Sequence, residues 1–87
     1  MTRNEAIKEV GIEAVEAVET ENLDFTSRIT DGTVWHGFDE FSARIDLDND
    51  CFLAMYVYVD SSAVAAVDNL DELDWDHYIK TAEFEIE

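Results

Sequence analysis

The sequence has few basic residues. Five lysines and arginines stand against 22 aspartates and glutamates among 87 residues, which gives a net charge of −17. Proteins bind DNA and RNA largely through lysine and arginine contacts to phosphates, so this charge excludes direct nucleic-acid binding. An anionic membrane surface would also repel the chain. The expected partner is a basic protein surface, because the electrostatic field of the protein speeds an encounter of that kind.

Cysteine, proline and long apolar runs are scarce as well. Cys51 is the single cysteine, so no internal disulfide forms and a reducing cytoplasm is the expected location. The longest apolar run, residues 52–59, is too short to span a bilayer, and residues 1–4 do not resemble a signal peptide. Proline is absent and no linker or repeat divides the chain. These features predict one compact domain over residues 1–87.

The apolar content indicates a folded domain. Hydrophobic residues make up 47% of the sequence and aromatic residues 11%, whereas disordered acidic segments are poor in both. Helical periodicity over residues 3–20 places apolar residues on one side and glutamates on the other, although Gly11 weakens such a helix by about 1 kcal/mol and Ile12 falls among the glutamates. The glutamates of this helix stripe are Glu5, Glu9, Glu13, Glu16 and Glu19.

The middle of the chain alternates in the manner of strands. Asp31-Gly32 is a signal for a tight hairpin between residues 25–30 and 33–38, with Phe25 opposite Phe38 and Ile29 opposite Val34. A further strand over residues 41–47 leads through an acidic turn into residues 52–59. That segment is apolar on both faces and is predicted to be the central strand, with Tyr56 and Tyr58 mainly in the core beneath a helix.

The last third predicts short helices and a terminal strand. Ser61 or Ser62 is expected to cap a helix through Val67, and the capping-box spacing of Asn69 and Glu72 predicts another to about Tyr78. Residues 82–87 then alternate, with an apolar row opposite an acidic one. The predicted fold class is α+β, with an N-terminal helix, an antiparallel sheet of three to five strands, and one or two short helices before a C-terminal strand.

The negative charge is concentrated in the second half. Residues 46–87 hold twelve acidic residues with Lys80 as their one basic residue. Trp75, surrounded in sequence by aspartates, has the composition of an interface anchor that faces arginines. The candidate partner-binding residues are Glu5, Glu9, Glu13, Glu16, Asp46, Asp48, Asp50, Asp68, Asp71, Glu72, Asp74, Trp75, Asp76, Glu83 and Glu85.

Motifs for catalysis or metal binding are weak. Residues 46–50 resemble the start of a calcium loop, but Cys51 replaces the required glycine and Val57 replaces the final glutamate. The histidines and the cysteine show no zinc spacing, and no phosphate loop or activated nucleophile is evident. The sequence therefore predicts a protein that is not an enzyme and has no cofactor and no bound metal.

In length, charge, one-domain α+β layout and the acidic stretch 46–87, the chain resembles small acidic inhibitors that phages and other mobile elements encode. That class includes antirestriction and anti-CRISPR proteins that mimic DNA. The resemblance implies a nucleic-acid mimic that blocks a basic groove of a host defence complex in the cytoplasm. Two alternatives remain: a halophilic domain whose acidity reflects its environment, and a small metal-dependent hydrolase. The terminal strand also leaves a homodimer open.

Overall fold

Helices lie on one face of a four-stranded antiparallel sheet, which confirms the α+β fold class. The computed structural model describes residues 1–29, 37–48 and 50–87, and it describes residues 28 and 29 by their backbone alone. Strand order follows chain order, and each strand pairs with the next. The elements are α1 (Arg3–Val10), α2 (Ile12–Glu19), β1 (Asp24–Ile29), β2 (Phe38–Asp46), β3 (Phe52–Asp60), α3 (Ser61–Ala66), a 3-10 helix (Leu70–Glu72), α4 (Trp75–Ile79) and β4 (Glu83–Ile86).

The core lies between the sheet and the helices. Strand β3 is an interior strand between β2 and β4, which confirms its predicted central place. Alternate residues of a strand point to opposite faces, and one row of β3 is fully buried against the helix side. The core residues are Ala6, Val15, Val18, Phe41, Ala43, Leu53, Met55, Val57, Val59, Ala82 and Phe84.

The N-terminal segment forms two helices, so the prediction of one continuous helix is wrong. Gly11 has φ 92° and ψ 157°, a conformation that ends α1 and redirects the chain into α2. Arg3 and Glu19 then form a bidentate ion pair with both N–O distances at 3.0 Å. In a continuous helix these two residues would lie about 24 Å apart along the axis. The two helices therefore fold back on each other, and Ile12 begins the second one.

Replacing Gly11 with alanine is expected to lower the free energy of unfolding by about 1–3 kcal/mol. Its φ and ψ lie in a region that essentially only glycine occupies. A Cβ at this position would meet no atom within 4 Å, so backbone strain alone carries the effect. One continuous helix would instead gain about 1 kcal/mol from the same change. Urea denaturation of G11A shows whether the free energy of unfolding falls or rises, and E9A is the control at an exposed helical position. A G11A variant more stable than the unaltered protein would contradict the break between α1 and α2.

The predicted register of the first hairpin is wrong. Phe25 pairs with Phe41, and Phe38 pairs with Ile29. A register shift between Phe25 and Ser27 accompanies this pairing. The register buries Phe41 at 1% exposure while its ring meets Phe25 edge-on, so core packing decides the pairing. The predicted Asp31-Gly32 turn lies outside the described residues.

The helices before β4 begin at residues other than those expected. Helix α3 follows Asp60, and the Ser61 hydroxyl donates a 2.7 Å hydrogen bond to the carboxylate of the buried Asp39. The predicted helix from Asn69 is divided, because Asn69 caps only the 3-10 helix and Asp74 caps α4. The Glu72 carboxylate accepts a hydrogen bond from the Asp68 N–H, so the predicted capping box does not form.

The C-terminal strand alternates as predicted. Phe84 is buried against the core, while Glu83 and Glu85 are exposed on the opposite face of β4. The backbone of Met1 covers part of the outer edge of this strand, with its ammonium group donating to the Phe84 carbonyl at 2.7 Å and its carbonyl accepting from the Phe84 N–H at 2.9 Å. Within the described ranges, no helix has both the length and the apolar character needed to cross a membrane.

Candidate protein-binding surfaces

The two layers divide the candidate acidic residues between opposite sides of the molecule. The glutamates of α1 and α2 and the acidic residues of segment 68–76 belong to the helix layer. Glu83 and Glu85 lie on the face of the sheet that points away from the helices. A flat partner surface cannot contact both sides at once. The fifteen candidate residues therefore form several surfaces.

The helix stripe is interrupted at Gly11. Glu9 precedes the break and Glu13 and Glu16 follow it, and all three side chains are exposed. Glu5 is engaged locally, because its carboxylate accepts a 3.0 Å hydrogen bond from the Thr2 N–H, and its own N–H donates to the Thr2 hydroxyl oxygen. The bond from the Thr2 backbone, with a further contribution from the Thr2 side chain, holds the pKa of the Glu5 carboxyl below the ordinary value. Glu19 is occupied by Arg3. The stripe thus has fewer free carboxylates than the sequence pattern indicates.

A cleft of about 720 Å³ lies between the end of α2 and the segment around α4, and we call it the Trp75 cleft. It brings together three of the predicted partner-binding acidic residues with Trp75, and it adds Glu21, which no sequence pattern indicated. Glu72 and Asp74 lie outside its wall. The lining residues are Glu19, Glu21, Asn22, Leu23, Asp68, Asn69, Leu70, Asp71, Trp75, Asp76 and Ile79.

Trp75 is half-buried and packs against the core. Its ring meets Phe41 edge-on with centroids 5.1 Å apart, and its Nε1–H donates to the Leu70 carbonyl at 2.9 Å. The indole therefore has a structural role in joining α4 to the sheet. Its remaining surface forms one wall of the Trp75 cleft.

The turn between β2 and β3 carries a third acidic group. Asp46, Asp48 and Asp50 are all exposed there, and Asp50 adopts a positive φ of 60°. Aspartate tolerates this left-handed conformation better than most residues. The Leu47 N–H donates to the Cys51 carbonyl at 2.7 Å across the turn. The three carboxylates thus project from one end of the sheet.

We call the face of the sheet opposite the helices the open sheet face. It carries Tyr56 and Tyr58, which were predicted to lie mainly in the core beneath a helix. That assignment is wrong, because Leu53, Met55, Val57 and Val59 form the row of β3 that faces the helices. Cross-strand pairing places the opposite row beside residues of β2 and β4. The residues of the open sheet face on these three strands are Phe38, Glu40, Ser42, Arg44, Asp46, Phe52, Ala54, Tyr56, Tyr58, Asp60, Glu83 and Glu85, and Glu87 extends it.

The two tyrosines lie among carboxylates. Burial raises the pKa of Tyr58 to about 12, and the negative charges of Glu40, Glu83 and Glu85 act in the same direction. The Tyr56 hydroxyl donates a 2.6 Å hydrogen bond to Glu87, and this bond together with burial raises the pKa of Tyr56. Both tyrosines are therefore neutral at physiological pH, and their rings sit in a strongly negative field.

The sequence could have indicated the open sheet face. One row of β3 is purely aliphatic from Leu53 to Val59, whereas the other contains two phenolic hydroxyls that need polar partners. Glu40 could not be identified from the sequence, because only the pairing of β2 with β3 places it opposite Tyr58. Its charge acts on Tyr58 together with those of Glu83 and Glu85, which lie on the other side of β3.

Neither metal-binding geometry nor similarity to known proteins gives further information about these surfaces. Within the part of the chain that the structure describes, no group of three histidine, cysteine or acidic side chains is arranged to hold a metal ion. No protein-family model, curated protein or solved structure matches this chain.

Proposed function

We propose that the protein is an acidic nucleic-acid mimic of the anti-CRISPR or antirestriction type. It acts in the cytoplasm of a host cell, binds a basic nucleic-acid-binding surface of a defence complex, and excludes the DNA or RNA substrate from that surface. The carboxylates take the place of phosphates. Alternate residues of β4 are separated by about 6.5 Å, a spacing close to that of successive phosphates along a strand.

The exposure of the carboxylates is the observation that supports this proposal best. Among the described side chains, every aspartate and glutamate is exposed except Asp39, Glu19 and Glu40. Two arginines are already occupied, since Arg3 pairs with Glu19 and Arg44 pairs with Glu87. The surface therefore presents a large uncompensated negative charge, while solubility is well served by a net charge of about 2 to 8 in a small domain.

Competition for DNA tests the proposal. A fluorescently labelled target duplex is bound to a purified CRISPR effector with its guide RNA, and this protein is added in increasing amounts while polarisation is recorded. We expect displacement at concentrations at least about tenfold below those needed for a disordered polyglutamate of the same charge, because a folded surface pays less conformational entropy on binding.

The panel for this assay includes effectors of several types and restriction enzymes, since the target is defined only by its basic groove. Displacement from one member, with the polyglutamate inactive at the same concentration, is the expected result. If every member retains its DNA with the protein in large excess, steric mimicry is the wrong function.

A halophilic origin is the second candidate, and one observation favours it. Acidic residues cover both the helix layer and the open sheet face, whereas a contact with one partner requires charge on one side only. An environmental cause would place acidic residues over the whole surface. The two candidates differ in the salt concentration at which the protein folds.

A further inference from the structure

The open sheet face has no helix over it among the described residues. Helices α1 to α4 all pack on the opposite face, where they bury one row of each interior strand. Two large aromatic residues stay substantially exposed on the open side, Phe38 at 42% and Phe52 at 43%. They lie at opposite ends of the β2–β3 pair, and Tyr58 and Tyr56 lie between them on the same face. A continuous apolar surface with a polar rim is typical of protein-binding surfaces.

Aromatic and acidic side chains form parallel rows on this face. Phe52, Tyr56 and Tyr58 follow the central strand β3, while the neighbouring strands supply carboxylates. Glu83 and Glu85 of β4 flank this row on one side, and Glu40 and Asp46 of β2 flank it on the other. Neighbouring strands lie about 4.8 Å apart, so each ring has carboxylates within reach of one bound side chain.

Arg44 is the one positively charged residue that β2, β3 and β4 place on the open sheet face, and a carboxylate of the same face neutralises it. Arg44 Nε lies 3.1 Å from Glu87 Oε1, and the other oxygen of the same carboxylate accepts the hydrogen bond from Tyr56. This arrangement fixes Tyr56 and leaves the remaining carboxylates without a positive neighbour on these strands. The face is therefore both negatively charged and held in place by its own hydrogen bonds.

Charge complementarity decides what can cover such a face. A second copy of this chain would bring like charges together, which costs binding energy. A basic surface satisfies the carboxylates. Arginine suits this face better than lysine, because a guanidinium stacks on a tyrosine ring while its N–H groups bind a carboxylate in a bidentate manner.

We propose that the open sheet face is the surface that binds the target, and that the target presents arginine side chains to it. This proposal rests on the proposed function and specifies its contact. Each arginine stacks on Tyr58 or Tyr56 and pairs with a flanking glutamate. The Trp75 cleft, whose indole is engaged with Phe41, has a secondary role in binding.

A peptide titration followed by NMR locates the contact. The probe is a ten-residue peptide that alternates arginine and alanine, and its control has lysine in place of arginine. The peptides are added to the full ¹⁵N-labelled chain at low salt. We expect the largest changes in amide chemical shift in β3 and β4. We also expect the affinity for the arginine peptide to be about five to ten times higher than that for the lysine peptide. Shifts centred on residues 68–76 or on α1 and α2, equal affinities, absence of binding, or dimerisation through this face would each overturn the proposal.

Three double variants with equal charge changes test the surface in the DNA-displacement assay. E83Q/E85Q alters the open sheet face, D71N/D76N alters the Trp75 cleft, and E9Q/E13Q alters the helices, all at exposed residues. We expect E83Q/E85Q to weaken displacement at least about tenfold and the other two less than about threefold. A larger loss in D71N/D76N or E9Q/E13Q would overturn the assignment of the face while the mimic function stands. The mimic function itself fails only if the unaltered protein displaces no DNA.

Discussion

The variant F41A is expected to lose a large share of the stability of the domain. Phe41 is 1% exposed, and its ring contacts both Phe25 and Trp75 edge-on, so it links β1, β2 and α4. Truncation of a buried phenylalanine to alanine costs about 3–5 kcal/mol, because the protein loses the transfer free energy of the removed atoms and is left with a cavity. At about 0.05–0.15 kcal/mol per residue, a chain of this length has only about 4–13 kcal/mol in total.

Urea denaturation followed by circular dichroism measures this loss. F52A is the matched control, because Phe52 undergoes the same chemical change at 43% exposure on the open sheet face. We expect the control to lose less than about 1.5 kcal/mol, in keeping with a partly exposed site. Equal losses in the two variants would mean that the core does not lie on the Phe41 side of the sheet.

The second large effect concerns salt. If the acidity serves a partner, the protein is folded in about 20 mM KCl, and its melting temperature rises by several degrees toward 500 mM as salt screens the repulsion between exposed carboxylates. A halophilic domain would be unfolded at the lower concentration and would fold only in molar KCl. Calorimetry and far-ultraviolet circular dichroism over this range distinguish the two.

The control for the salt titration is sucrose at matched water activity. Sucrose stabilises compact states by exclusion from the protein surface but does not screen charges. We expect potassium chloride below 500 mM to raise the melting temperature more than sucrose does. An unfolded protein at 20 mM KCl that recovers its structure only in molar salt would remove the main support for mimicry.

Elements with a clear period were predictable from the sequence. The alternation of residues 82–87 identifies β4, since a shift of one residue would expose Phe84 and bury glutamates. The apolar run 52–59 likewise identifies an interior strand. For β4 the side-chain pattern and the burial agree, so local information is sufficient. For β3 the apolar run indicates the interior position but not that Tyr56 and Tyr58 lie on the open sheet face.

Other features depend on contacts that a local pattern does not contain. Helical periodicity alone makes residues 3–20 one helix, because Gly11 can occupy either a helix interior or a break between helices. The ion pair of Arg3 with Glu19 distinguishes the two, since it forms only when the helices fold back on each other. The pairing of Phe25 with Phe41 likewise belongs to an aromatic group with Trp75, which is distant in sequence from both. The net charge can be counted from the sequence, but the location of the charged side chains on the surface depends on such contacts.

The hydrogen bonds between Met1 and Phe84 join residues 83 positions apart. During synthesis on the ribosome, Met1 can make this contact only after the residues of β4 have been added. Long-range contacts of this kind slow folding, because loop closure is required before they form. Strand β4 also carries Glu83 and Glu85, so the same long-range contact that holds Met1 at the edge of the sheet involves the strand that completes the open sheet face.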